Sequence, residues 1–362
     1  MTCQLPKFNL PVYDPCAATF SVASDWGLHG VRDLDLVMSQ PYKIVCVRPC
    51  FNEPHIFNYD PNITVDFDKF DLVIVSDIEY TSIQEIQSWL SRYNVDRYLI
   101  ALGGQVDVHK FDSNRMVYRY HWASQYTLRD TFVDTNDESK PFVFDVLLGA
   151  RRPHRDYVMM AMTKHHMLDS SIVTYRDCFV GNLINDQSNE FAALFAGTPL
   201  LYPYTSPNLD PRWEVRDVLT NDISYLIPVQ IFRNCYYSVI TETLGTGSSF
   251  FFSEKTAKAM FAKRLFLAFS NANYYDKMRK LGFESFGSVI DESFDLDPVD
   301  ASRFAKAFKQ MQQLATQDPT KVLAKVQAEI EHNHDHLNTM IQTTRGQMIR
   351  LLKDHTPDQH WS

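Results

Sequence analysis

Ser253, Glu254 and Lys255 stand where an apolar run ends and a helical pattern begins, in Phe251-Phe252-Ser253-Glu254-Lys255-Thr256-Ala257-Lys258-Ala259. A serine there can cap the helix by accepting a hydrogen bond from an early N–H. The positive end of the helix and the Lys255 ammonium then point at the same place, which is a site for an anion. Glu254 would repel a phosphate, so its chemistry is acceptance from sugar or ribose hydroxyls. A second basic cluster, Arg151-Arg152-Pro153-His154-Arg155, follows Gly149-Ala150 directly after an apolar strand. The planar fork of arginine matches phosphate oxygens and stays charged. Arg151, Arg152 and Arg155 can therefore hold a diphosphate and stabilise it as a leaving group. Two cationic clusters, each at a strand end, point to one phosphate-bearing ligand held between them. Each also has a plainer reading, a solubilising surface turn or an arginine paired to an acidic neighbour at 151–155, and an exposed capping pair at 254–255.

Further carboxylates lie at strand ends. Glu242 follows the strand-like Val239-Ile240-Thr241 and precedes Gly245-Thr246-Gly247-Ser248-Ser249, a loop with little side-chain bulk that can approach a ligand closely. It is not a Walker loop, because no Gly-Lys-Ser/Thr follows. Glu242 either binds ligand hydroxyls or makes a structural salt bridge. Asp77 and Glu79 follow the strand ending at Ser76, and Glu53 follows Arg48-Pro49-Cys50. A general base is expected in such a position, and these three are the candidates for it.

The elements that must position these residues alternate. The runs at 43–47, 70–76 and 97–102 are short, apolar and rich in β-branched residues, the pattern of buried strands. Between the last two, Ile83, Ile86, Trp89 and Leu90 recur at helical spacing. Strand, helix and strand make a βαβ unit and hence a parallel sheet. Gly103-Gly104 lacks the spacing of a dinucleotide loop and reads as a turn. A polar stretch at 134–140 reads as a linker, after which the pattern restarts. Strands are expected at 142–148, 171–175, 239–243 and 265–269, with helices at 156–166, 256–264 and 274–281. Ligands of such sheets sit outside the carboxyl ends of the strands, where both basic clusters fall. The tail reads as two helices, 300–316 and 319–353, parted at Asp318-Pro319. Glu331-His332-Asn333-His334-Asp335-His336 reads there as a solvated helix face, with a metal site as the minor alternative.

The 362 residues are too many for one ordinary core, so two domains are expected. Hydrophobic residues make up 45% and charged residues 22%, which excludes a disordered chain. A net charge of −9 argues against a nucleic-acid partner, while local basic clusters still suit a small anion. Six scattered cysteines without a zinc-type spacing read as free thiols in a reducing compartment. No signal-peptide or membrane-spanning stretch is visible, so a cytoplasmic protein is expected, or an effector secreted without a cleavable signal.

Residues 251–271, with the following Leu281-Gly282-Phe283-Glu284-Ser285-Phe286 and Ile290-Asp291-Glu292-Ser293-Phe294-Asp295, resemble the donor-site segment of α1,3-fucosyltransferase-like glycosyltransferases and related phage and bacterial proteins. The turn at Arg152 to Arg155 resembles the basic loop of the same group. Ser253 stands for the family's Thr, and Leu265-Phe266-Leu267 for its Val-Pro-Val strand. The resemblance covers about residues 142–295. It implies a GT-B fold: α/β, with two Rossmann-like domains facing a cleft, and here a C-terminal helical extension. The domains expected are an acceptor-side domain at 1–138, a donor domain at 139–299 and a helical segment at 300–362. The implied activity is metal-independent transfer of a sugar from a nucleotide-diphosphate-sugar donor to a glycan, lipid-linked or protein acceptor, with no cofactor beyond the donor. By this resemblance Glu254 binds ribose or sugar hydroxyls, and Lys255 with an arginine of the basic loop binds the diphosphate. A non-catalytic nucleotide- or glycan-binding effector or scaffold is the alternative.

Overall fold

The computed structural model describes residues 7–14, 23, 26, 28–47, 65–77, 83–102, 114–118, 139–175, 191–210, 212, 227–246 and 252–362. Contacts divide the chain into two compact units, Met1–His121 with Met340–Ser362, and Trp122–Thr339. The helical tail, expected as a segment of its own from residue 300, is shared between them. Its last part carries apolar residues that complete the core of the first unit.

In the first unit, strands β1 (Pro11–Tyr13), β2 (His29–Val31), β3 (Ile44–Val47), β4 (Leu72–Asp77), β5 (Tyr98–Leu102) and β6 (Met116–Tyr118) form a sheet of order β2-β1-β3-β4-β5-β6. Every pairing in it is parallel. Alternate residues of each strand serve opposite faces, as the pleat requires. Val12, Ile44, Cys46, Leu72, Ile74, Leu99 and Ala101 pack on one face with Met348, Leu351 and Leu352 of the C-terminal helix. Val45, Val47, Val73, Val75, Ile100 and Leu102 pack on the other. Their partners are Val37 of α1 (Leu34–Met38) and Ile86 and Leu90 of α2 (Ile83–Arg92). Both faces are covered, which is why these strands read as unbroken apolar runs. The chain leaves β1 to one side for β2 and to the other for β3. That reversal makes a topological switch point. Asp14, fully buried just beyond β1, accepts a hydrogen bond there from Ala23 N–H at 2.9 Å.

The second unit has the sheet order β11-β10-β7-β8-β9. Its strands are β7 (Phe142–Gly149), β8 (Ser171–Tyr175), β9 (Tyr204–Thr205), β10 (Cys235–Thr241) and β11 (Phe266–Phe269). All pairings are parallel except β8 with β9. Helix α3 (Pro153–Lys164) links β7 to β8, and α4 (Val229–Asn234) leads into β10. Helix α5 (Glu254–Phe261) links β10 to β11, and α6 (Tyr274–Lys280) follows. Nine consecutive residues of α3, His154 to Met162, are buried, so it lacks the one-sided stripe of a surface helix. Strand β10 starts four residues ahead of the expected one, at Cys235.

A buried ion pair ties the strands together. Arg264 donates from Nη2 to Asp145 of β7 at 2.8 Å and from Nε to Ser238 of β10 at 2.8 Å. Its Nη1 donates to the Phe232 carbonyl, also at 2.8 Å. The second unit is completed by α7 (Asp300–Ala315), α8 (Pro319–Lys325) and the first part of α9 (Gln327–His355). The tail thus holds three helices, because α8 stops at Val326 where two were expected.

The run expected to be a solvated face of α9 is a docking face. His332 and His336 each lie 2.8 Å from a carbonyl beyond α6, Gly282 and Leu281 respectively, and His334 lies 2.9 Å from the Phe261 carbonyl that ends α5. Asn333 both accepts from Glu284 N–H and donates to its carbonyl, each at 2.8 Å. Helix C-termini carry unpaired carbonyls, and these side chains supply donors to them. No group of histidines, cysteines or carboxylates among the described residues is arranged to hold a metal. Among the described residues, no helix is long and apolar enough to cross a membrane.

Candidate functional site

In the second unit the chain leaves β7 one way through α3 to β8, while β10 lies on the other side and leads through α5 to β11. The carboxyl ends of β7 and β10 are therefore the two sides of a switch point. In open α/β sheets the ligand crevice forms there. Both basic clusters end at this fork.

The β7 side begins at Gly149, whose φ of +62° is a left-handed conformation that favours glycine. The turn delivers Arg152 as the N-cap of α3, with Pro153 in its first turn. Arg151 folds onto that helix. Its Nε and Nη2 donate to the Asp156 carboxylate at 3.0–3.2 Å, and its guanidinium lies over the Tyr202 ring at 5.6 Å. Tyr175 also donates to Asp156, at 2.6 Å. Arg151 is thus held by an acidic neighbour, the plainer of its sequence readings.

Arg155, expected to bind the diphosphate directly, has a different task. Its side chain is buried, and its guanidinium donates to the carbonyls of Ala150 at 2.5 Å and of Thr241 and Glu242 at 3.4 Å. It clasps the end of β10 to the end of β7. Burial, then the neighbouring Arg152 charge, pushes its pKa down to about 10. The Arg152 Nε is buried and makes no hydrogen bond among the described residues. The same is true of Arg155 Nε.

Glu242 was expected either to bind ligand hydroxyls or to form a salt bridge. It is fully buried, and its carboxylate is taken up inside the fold. Tyr274 donates to it at 2.9 Å, Ser253 N–H at 3.3 Å, Thr243 N–H at 3.2 Å, and the Thr256 hydroxyl lies closer still. The carboxylate thereby joins β10 to the start of α5 and to α6. Ser253 caps α5 by accepting from Lys255 N–H at 3.2 Å. Lys255 Nζ pairs with Glu254 at 2.6 Å, and both side chains keep a minor part of their surface exposed. Burial pushes the Glu254 carboxyl up, but Lys255 and Lys258 more than offset this and hold it below the ordinary value.

The two sides meet at His154. Burial, then the charges of Arg155, Arg152 and Lys255, hold its pKa well below the ordinary value. The Glu254 and Glu242 carboxylates act in turn on Arg155. The ring packs against Gly245, where an added Cβ would fall 2.2 Å from its Cγ. Gly245 is there because the loop lies on the imidazole. Arg303 of α7 is buried and donates from Nη2 to the Gly245 carbonyl at 3.1 Å and from Nε to the Ser270 carbonyl at 2.9 Å.

Arg151, Arg152, Arg155, Glu242, Ser253, Glu254 and Lys255 thus lie around one fork. Arg155 and Glu242 build it, while Arg152 is half-buried and Lys255 is paired with Glu254 at its edge. Sequence reasoning missed Arg303, whose helical spacing gives no sign of its target, and Tyr274. Glu53 and Glu79 lie outside the described residues. Asp77 ends β4, opposite Leu102 of β5. No protein-family model, curated protein or solved structure matches this chain.

Proposed function

We propose that the second unit binds the diphosphate of a nucleotide-sugar donor and that the chain is a metal-independent glycosyltransferase of GT-B architecture. The observation that supports this reading is that Arg152, at the cap of α3, and Lys255, at the capped start of α5, both lie near enough to His154 for their charges to act on it. A helix N-terminus and two fixed cations neutralise a departing diphosphate, the role that a divalent ion takes elsewhere. Glu254, ionised beside Lys255, is suited to accept from ribose or sugar hydroxyls. The acceptor would be a glycan, lipid-linked or protein hydroxyl. Its proton would pass to a carboxylate of the first unit, for which Asp77, Glu79 and Glu53 are the candidates.

The test is a thermal-shift screen of the full chain against uridine-, guanosine- and cytidine-based nucleotide sugars. A ligand at a hundredfold its Kd stabilises the native state by about 2.7 kcal/mol, which raises the melting temperature by several degrees. A chain that melts at the same temperature with every donor would contradict the reading.

A further inference from the structure

Glu242 holds both sides of the fork at once. Its main-chain carbonyl accepts from His154 Nε2 at 2.8 Å and from Arg155 Nη2 at 3.4 Å, which fixes the first turn of α3 to the end of β10. Its carboxylate serves the other helix. One oxygen accepts from Ser253 N–H, eleven residues on, at 3.3 Å, and from the Thr256 hydroxyl. The other accepts from Thr243 N–H at 3.2 Å. Ser253 is the N-cap of α5, and its hydroxyl accepts in turn from Lys255 N–H at 3.2 Å. A chain of bonds therefore runs from β10 through one carboxylate to the residue that carries the cation of α5. Glu242 is fully buried, so breaking these bonds leaves donors that water does not reach. The first unit uses a similar device. Asp14, also fully buried beyond a strand end, accepts from Ala23 N–H nine residues on.

The consequence concerns spacing. The start of α3 is held by the carbonyl of Glu242 and the start of α5 by its carboxylate, so one residue sets how far apart the two helix starts stand. A ligand with two linked phosphoryl groups gains from both starts only where their spacing matches its own, because the second contact is then made at high effective concentration. A single phosphate needs only one start and is indifferent to the spacing.

We infer that Glu242 is a positioning residue that makes the site selective for a diphosphate over a monophosphate. The inference rests on the donor-binding reading and adds the source of its selectivity. Glu242 acts through Ser253 and Lys255 and not on the ligand itself.

The test is calorimetric titration of the full chain with inorganic pyrophosphate and with inorganic phosphate, read as the ratio of the two Kd values. A variant that merely loosens the fold weakens both anions alike and leaves the ratio where it was. The wild type should prefer pyrophosphate by about a hundredfold. Glu242→Ala, which releases α5 while the main-chain carbonyl still holds α3, should cut that preference about tenfold or more. Glu242→Asp keeps the buried charge but falls one methylene short of Ser253 N–H, and it gives the reading should the alanine variant not fold. A loss of preference of about threefold or more is expected of it. Glu242→Gln keeps an acceptor for Ser253 and should restore most of the preference. A wild-type ratio in Glu242→Asp, or in a folded Glu242→Ala, overturns the inference and leaves the donor site standing. A glutamine variant no more selective than the alanine one also overturns it, since charge and not the bond to Ser253 would then set the preference. If the wild-type chain binds neither anion, the donor site falls and takes this inference with it.

Discussion

His154 lies with Nε2 2.8 Å from the carbonyl oxygen of Glu242, joining the first turn of the helix after β7 to the end of β10. A carbonyl only accepts, so Nε2 carries the proton. With its pKa held well below the ordinary value, the ring is neutral and Nδ1 is unprotonated.

That arrangement predicts a pH dependence. The folded state binds the His154 proton less readily than the unfolded chain, whose histidine titrates near 6.5. Stability is therefore full above that pH and is lost as pH falls below it, by up to about 1.4 kcal/mol per pH unit. His154→Gln keeps a donor near the Glu242 carbonyl and cannot titrate. Denaturant unfolding of both proteins from about pH 7 to about pH 5.5 should show a steeper loss for the wild type. Parallel curves would place the His154 pKa near its ordinary value.

Glu242 gathers four donors inside the fold. Glu242→Ala leaves them buried without a partner, at about 1–3 kcal/mol for each that water cannot reach. Glu242→Gln keeps one accepting oxygen and should cost clearly less. Unfolding midpoints of the two variants check the order. An alanine variant as stable as the wild type would mean that the carboxylate faces solvent.

The Asp145–Arg264 pair carries a different expectation. Both side chains are almost wholly buried. Removing one partner strands a charge in the core, which costs about 3–5 kcal/mol. Replacing both with apolar residues of similar size, Asp145→Leu with Arg264→Met, should recover much of that loss. A double-mutant cycle measured by denaturant unfolding decides it, and simple additivity would show that the two charges do not interact.

The long elements were legible because their burial is extreme. Residues 44–47, 72–76 and 98–102 have neighbours on both faces, so the apolar runs carry no polar interruption and stand out. Strands β1, β2, β6 and β9 have three residues or fewer, too short for any period to show. Strand β1 also opens on a proline, which marks an edge or a strand start more often than a centre. The basic clusters were legible as clusters, and their convergence follows from parallel topology. What each arginine does was not legible. A guanidinium that clasps carbonyls, as that of Arg155 does, and one paired with a carboxylate, as that of Arg151 is, look alike in the sequence, and only their partners tell them apart. The histidine run of α9 was misread for a related reason, because its targets are main-chain carbonyls, to which sequence patterns are blind.

Calorimetric titration of the full chain with UDP and GDP, beside Lys255→Ala and Arg152→Ala, tests most directly whether the ends of β7 and β10 share one diphosphate site. The account predicts that the wild type binds at least one of the two nucleotides. Each variant should bind it about tenfold or more weakly, a loss of about 1.4 kcal/mol, while melting as the wild type does. Wild-type affinity in both variants, or no binding by the unaltered chain, would contradict it.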